Sequence, residues 1–156
     1  DYNRHSGYVV IFRESLLAHA KELGMTVIES EHYEADSFDA QHFVSTVFAH
    51  PDRPTAIINQ ANASVLSQVL MALHDAGMSI PQDVSVLSCG TYFEGEPTRF
   101  PITEMPVMPE ELCAEAMNLL VSAIEEHTDI KGSVELIEPA MKRRGSVAEA
   151  GSGGTI

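Results

Sequence analysis

The sequence predicts an α/β fold, an open parallel sheet with helices on both faces. Strand-period and helix-period segments alternate along nearly the whole chain. The best-marked strands are residues 55–59, apolar without alternation as strands covered on both sides are, and residues 84–89, which read as the next buried strand. Residues 53–90 read as strand, loop, long amphipathic helix, Gly-Met turn and strand, which is one βαβ unit. Open sheets of this kind bind ligands in the loops at the carboxyl ends of their strands.

Each element has its own signal. Val9, Phe12, Leu16, Ala20 and Leu23 fall at helical spacing, so residues 8–23 are expected to be a helix that stops at Gly24. Met25-Thr-Val-Ile-Glu-Ser30 has the β-branched character of a short strand. A polar turn at Asp36-Ser37 follows, and Asp39 suits the N-cap of a helix over 40–50 whose buried stripe is Phe43 and Val47, with Val44 and Phe48 beside them. Pro51 and Pro54 end that helix. Strand 55–59 is followed by a helix over 62–76 carrying Val65, Leu66, Val69, Leu70, Ala72, Leu73 and Ala76. Pro81 interrupts the connection to strand 84–89. Residues 91–101, with Gly95, Pro97 and Pro101, make a loop long enough to carry function. Residues 102–105 suit a short strand, and 109–126 a helix with Leu112, Ala116, Leu119, Leu120 and Ala123 on one side. Its acidic first turn, Glu110 and Glu111, suits the positive end of the helix dipole. An alternating strand over 134–138, an edge segment over 139–147 and a small-residue tail complete the chain.

Composition narrows the function. At 156 residues the chain is expected to be one domain with a sizeable core. Nine Lys and Arg face twenty-three Asp and Glu, giving a net charge of −14, whereas duplex-binding surfaces carry a basic stripe. The one basic cluster, Lys142-Arg143-Arg144, reads as a solvated edge, so this chain does not touch nucleic acid by itself. Cys89 and Cys113 form neither a disulfide framework nor a metal-ligand spacing, and read as buried thiols in a reducing compartment. No apolar run approaches the roughly 20 residues that cross a bilayer, and Asp-Tyr-Asn-Arg-His is no signal peptide. The expectation is a cytoplasmic protein without a membrane partner.

Catalytic constellations are missing. The sequence has no G-x-S-x-G elbow, Walker loop, G-x-G-x-x-G or H-E-x-x-H. The seven histidines are scattered over predicted polar faces and helix ends. Glu31, His32, Glu34 and Asp36 are the one local knot of metal-ligand types, but neighbours on an extended segment point to opposite sides and converge poorly. The pairs Glu110-Glu111 and Glu125-Glu126 read as solubilising rather than as general acid and base. No enzyme, cofactor or metal is expected.

Four segments in order carry a resemblance. The run from Arg53 to Gly90, with P-T-A-I and then L-M-A-L-H-D-A-G-M-S-I-P-Q-D-V-S-V, resembles the effector-binding domain of the lactose/purine-repressor (LacI) family. Arg4-His5-Ser6-Gly7-Tyr8 is similar to its R-x-x-G-[YFW] helix opening. Pro101-Ile102-Thr103 with P-x-E-E-L-x-x-x-A-M-x-L-L at 109–120 is similar to its P-x-L-T-T strand and following helix. Glu138-Pro139 through Arg144-Gly145-Ser146 is similar to its closing E-P-x-[LM]-x-x-R-x-S. Together they run from Arg4 to Ala148.

The resemblance implies a bacterial transcriptional regulator with a helix-turn-helix head and a two-lobed core like a periplasmic binding protein. A small molecule between the lobes shifts a dimer between DNA-binding states. In that pattern residues 1–148 are effector-binding domain, mostly its C-terminal lobe, and 149–156 a tail. The head, most of the first lobe and the second lobe's first strand lie upstream of Asp1, so operator DNA is reached only through a head domain outside this chain. The alternative is a periplasmic sugar-binding protein of the same architecture. The apolar helix 62–76 serves either a homodimer face or burial within its own lobe.

Ligand residues carry over one at a time. Arg4 matches an arginine at the lobe interface, a bidentate donor for carboxylates or paired hydroxyls, and otherwise reads as a surface arginine near a helix start. Asn62 matches the Asn of an N-D pair, with Ala63 in the Asp place; the loop is one residue longer, so Asn62 also suits the Asp place. Gly90, before Thr91, replaces an aspartate that receives ligand hydroxyls. Ser37 falls where an aromatic stacks on ligand, with Phe38 adjacent. The expected effector site is therefore Arg4, Ser37, Phe38, Gln60, Asn62, Gly90 and Thr91. Two lost carboxylates imply an effector other than a simple sugar, or a sensing role that has decayed.

Overall fold

The structure is a computed structural model that describes residues 7–30, 37–60, 63–91, 100–107, 109–132 and 134–149, with backbone alone at Tyr8, Gly90 and Thr91. The chain divides into two compact units, residues 1–38 and 39–156.

The first unit is built on α1 (Gly7–Glu22). Ala20 is buried, while Val9, Phe12, Leu16 and Leu17 are half-buried. Gly24 ends the helix at φ 68°, a conformation open to glycine. Its N–H reaches Lys21 O and that of Met25 reaches Ala20 O, the paired closure that satisfies the last carbonyls. Arg13 donates to Glu29 from Nε and Nη2 and ties the helix to the segment beyond it. Residues 25–30 correct an expectation. They form no strand, and Met25, Val27 and Ile28 stay exposed. A strand exists through its ladder, and among the described residues nothing pairs with this one.

The second unit holds a parallel three-stranded sheet, β1 (Ala56–Asn59), β2 (Ser85–Thr91) and β3 (Thr103–Pro106), in the order β1-β2-β3. α3 (Ala63–Asp75) connects β1 to β2. Val65, Leu66, Val69, Leu70, Ala72 and Leu73 are all buried, so the apolar stripe is consumed inside the chain; the exposed Met71 lies off it. Gly77 at φ 74° repeats the closure of α1, with hydrogen bonds from Gly77 and Met78 to His74 O and Leu73 O. α2 (Ala40–Val47) packs on α3 and buries Ala40 and Val44. Asp39 caps it as expected, its carboxylate accepting the His42 N–H at 2.8 Å. At the other end of the sheet, Arg53 lies 3.6 Å from Asp83 and joins the approaches to β1 and β2.

Four further expectations are corrected. β1 is not covered on both faces, since Ala56 and Ile58 are exposed. α4 (Pro109–Glu126) has the expected length but buries no residue; Leu119 and Ala123 are half-covered, and Leu112, Met117, Leu120, Val121 and Ile124 face solvent. Residues 134–138 form no strand, with Val134 and Leu136 almost fully exposed. Cys113 is exposed, and only Cys89 is a buried thiol. The edge segment does lie where expected, with Lys142 bridged antiparallel to Glu104 of β3.

Candidate functional site at the strand ends

The carboxyl ends of β1 and β2 lie side by side. Asn59 and Ser88 are register partners, and Asn59 Nδ2 donates to Ser88 Oγ at 3.4 Å. Ser88 is buried, so this contact forms the floor of the strand ends. Gln60 leaves β1 next to it. The side chain is half-buried, and Nε2 is shielded from solvent without a hydrogen-bond partner among the described residues. A buried amide donor left unpaired costs about 1–3 kcal/mol, which a ligand acceptor would recover. The described side chains here, Asn59, Gln60 and Ser88, are neutral.

β2 changes register at this end. Cys89 pairs with Met105 and Thr91 with Pro106, so Gly90 is the extra residue of a bulge. Glycine suits that place, because a bulge needs backbone freedom and close approach more than a side chain. Beneath it, Cys89 is buried and its thiol is pushed up to about 11 by burial, which keeps it neutral and unreactive.

Of the expected site residues, the structure brings together Gln60, Gly90 and Thr91. Arg4 and Asn62 lie outside the described residues, as does the whole 31–36 knot. Ser37 and Phe38 belong to the first unit, where Ser37 is exposed and Phe38 is buried. Among the described residues no group of His, Cys, Asp and Glu is placed to hold a metal. Asn59 and Ser88 escaped the sequence reading, although each is the polar interruption that ends an apolar run.

Residues 1–147 match the family profile described as a periplasmic binding protein-like domain. The chain belongs to the periplasmic binding protein-like domain family. Solved structures similar to this domain have the same fold. One is a LacI family transcriptional regulator from Bifidobacterium animalis subsp. lactis, 24% identical, TM-score 0.64, covering 91% of this chain and 51% of its own. A second, from an Arthrobacter species in complex with lactose, is 22% identical with TM-score 0.63, covering 86% of this chain and 51% of its own. A third, from Lactobacillus casei with bound sucrose, is 16% identical with TM-score 0.58, covering 86% and 50%. The domain thus spans about half the length of the structures it resembles. All three are described as LacI family transcriptional regulators. Comparison with curated protein sequences gives no match. Among the described residues no helix is long and apolar enough to cross a membrane.

Proposed function

We propose that this domain is the ligand-sensing lobe of a LacI-type bacterial transcriptional regulator. The observation that carries the reading is Gln60 Nε2, a shielded donor unpaired among the described residues, beside the Asn59–Ser88 floor and the Gly90 bulge. It stands at the strand ends of a fold whose relatives include complexes with lactose and sucrose. The effector is a small molecule held at these strand ends by Gln60, Thr91 and the backbone at Gly90, and the resemblance adds Arg4, Ser37, Phe38 and Asn62 as candidates. With neutral amides and a hydroxyl where carboxylates are expected, and with Arg4 as the cation, the pocket suits a less polyhydroxylated or an anionic effector. The full-length protein is a cytoplasmic homodimer that reaches operator DNA through a separate head and catalyses nothing. α3 does not supply the dimer face, because its stripe is spent on its own unit.

A thermal-shift screen of neutral hexoses, disaccharides and small carboxylates tests this. A ligand at a hundred times its Kd stabilises the fold by about 2.7 kcal/mol. The expected result is a shift from a small carboxylate that is lost in Gln60→Ala and in Arg4→Ala. Stabilisation by neutral hexoses that survives Arg4→Ala would overturn the assignment of Arg4 and the altered effector together.

A further inference from the structure

The closing segment takes an unusual path around β3. On the outer edge of that strand Lys142 exchanges both backbone hydrogen bonds with Glu104, at 2.8 and 3.0 Å. Gly145 then turns the chain at φ 85°. By Ser146 the segment has passed the start of β3 and reached β2, where Val86 N–H donates to Ser146 O at 2.8 Å. The neighbour of β2 on this side is therefore composite. Ser146 takes the rung at Val86, and β3 takes the rungs from Leu87 onward.

The Ser146 side chain joins the two strands where they do not bond directly. Its hydroxyl accepts the Thr103 N–H at 2.7 Å and donates to Val86 O at 2.6 Å, and the residue is 2% exposed. Further backbone N–H donors hold the segment down, among them Arg144 N–H to Thr103 Oγ1 at 3.1 Å and Ala148 N–H to Ser85 Oγ at 3.1 Å.

We propose that residues 142–148 are a lock on the register of β3, with the Ser146 hydroxyl as its pin. β3 has only four residues, so its own ladder is a weak specifier of register. A slip of one residue would turn Thr103, Glu104 and Met105 to opposite faces. The lock opposes the slip by filling the rung at Val86, which β3 would need in order to move toward the start of β2. The same register sets Thr91 opposite Pro106 and leaves Gly90 as the bulge. The lock is independent of the proposed effector site and stands whether or not an effector binds.

Cys89 reports on it, being buried on β2 opposite Met105. With the exposed Cys113 replaced by serine, an aromatic disulfide reagent in native buffer reads the opening of β2 from β3 through Cys89 alone. Ser146→Ala is expected to speed labelling at least tenfold over the parent. Ser146→Thr, which keeps the hydroxyl, stays within about threefold of it. Asp39→Ala, which removes the cap of α2, is the control for general destabilisation. Labelling of Ser146→Ala no faster than that of Asp39→Ala at matched midpoint temperature would overturn the lock and leave Ser146 as one more stabilising contact. Where Ser146→Ala does not fold, Gly145→Ala strains the turn and leaves the hydroxyl in place, and the same comparison decides.

Discussion

Removing the guanidinium of Arg144 exposes what the closing segment costs to break. Arg144 Nη2 lies 2.6 Å from Glu104 Oε1 in an ion pair. Nη1 donates to Ile102 O at 3.0 Å. The contact with Glu104 raises the proton affinity of the guanidinium above its usual value. The Glu104 side chain is 10% exposed and that of Arg144 is 36% exposed, so one partner is buried and the other meets water. Stranding one charge of a fully buried pair costs about 3–5 kcal/mol, and water at Arg144 reduces this to about 2–3 kcal/mol. For a chain of this length each kcal/mol moves the midpoint by about 2–4 °C, so Arg144→Met should unfold roughly 5–10 °C lower. Glu104→Leu combined with Arg144→Met removes both charges, and the double variant should return to within about 1 kcal/mol of the parent. Circular dichroism melts of the four proteins form a double-mutant cycle with a coupling of about 2 kcal/mol. Added salt should change the coupling little, because the carboxylate is largely shielded from solvent. A single variant within about 0.5 kcal/mol of the parent, or a double variant that loses the sum of the singles, would refute the reasoning.

Two other predictions read the core. The Cys89 thiol ionises near 11 in the fold and near 9.0 when free, so the unfolded chain gives up its proton first. The stability this contributes is whole below pH 9 and falls by roughly 2–3 kcal/mol as pH rises to 11; urea titrations should show that fall in the parent and not in Cys89→Ala. Leu73→Ala, at a site with no exposure, should cost about 2–5 kcal/mol in urea unfolding, while Met71→Ala on the open side of the same helix should stay within about 0.5 kcal/mol; equal effects would mean that the buried stripe is misplaced.

The helices and the central strands were legible because their signals are local. Val65 through Leu73 carry a stripe that needs no partner to be recognised, and Asp39 and Gly77 are punctuation with a stereochemical cause. Residues 25–30 and 134–138 have the composition of strands and do not form them, because pairing is a property of two segments and composition speaks for one. The five apolar side chains that α4 leaves in solvent show the same limit, since a periodic stripe says that a helix can bury a face and not that it has done so.

The candidate site divides along the same line. Gln60 and Gly90 were visible because they follow apolar strands, and strand ends are where an open parallel sheet gathers polar groups. What the spacing could not convey is that Gly90 is a bulge. The absence of an aspartate there reads in sequence as a lost ligand group, yet the register requires an extra residue between Cys89 and Thr91. A glycine at a bulge brings the backbone itself within reach of a ligand, so the same substitution that removes a carboxylate supplies peptide groups in its place. Under the proposed function, position 90 offers neutral backbone where the family pattern has a charged acceptor, which suits an effector that does not depend on a carboxylate to hold it.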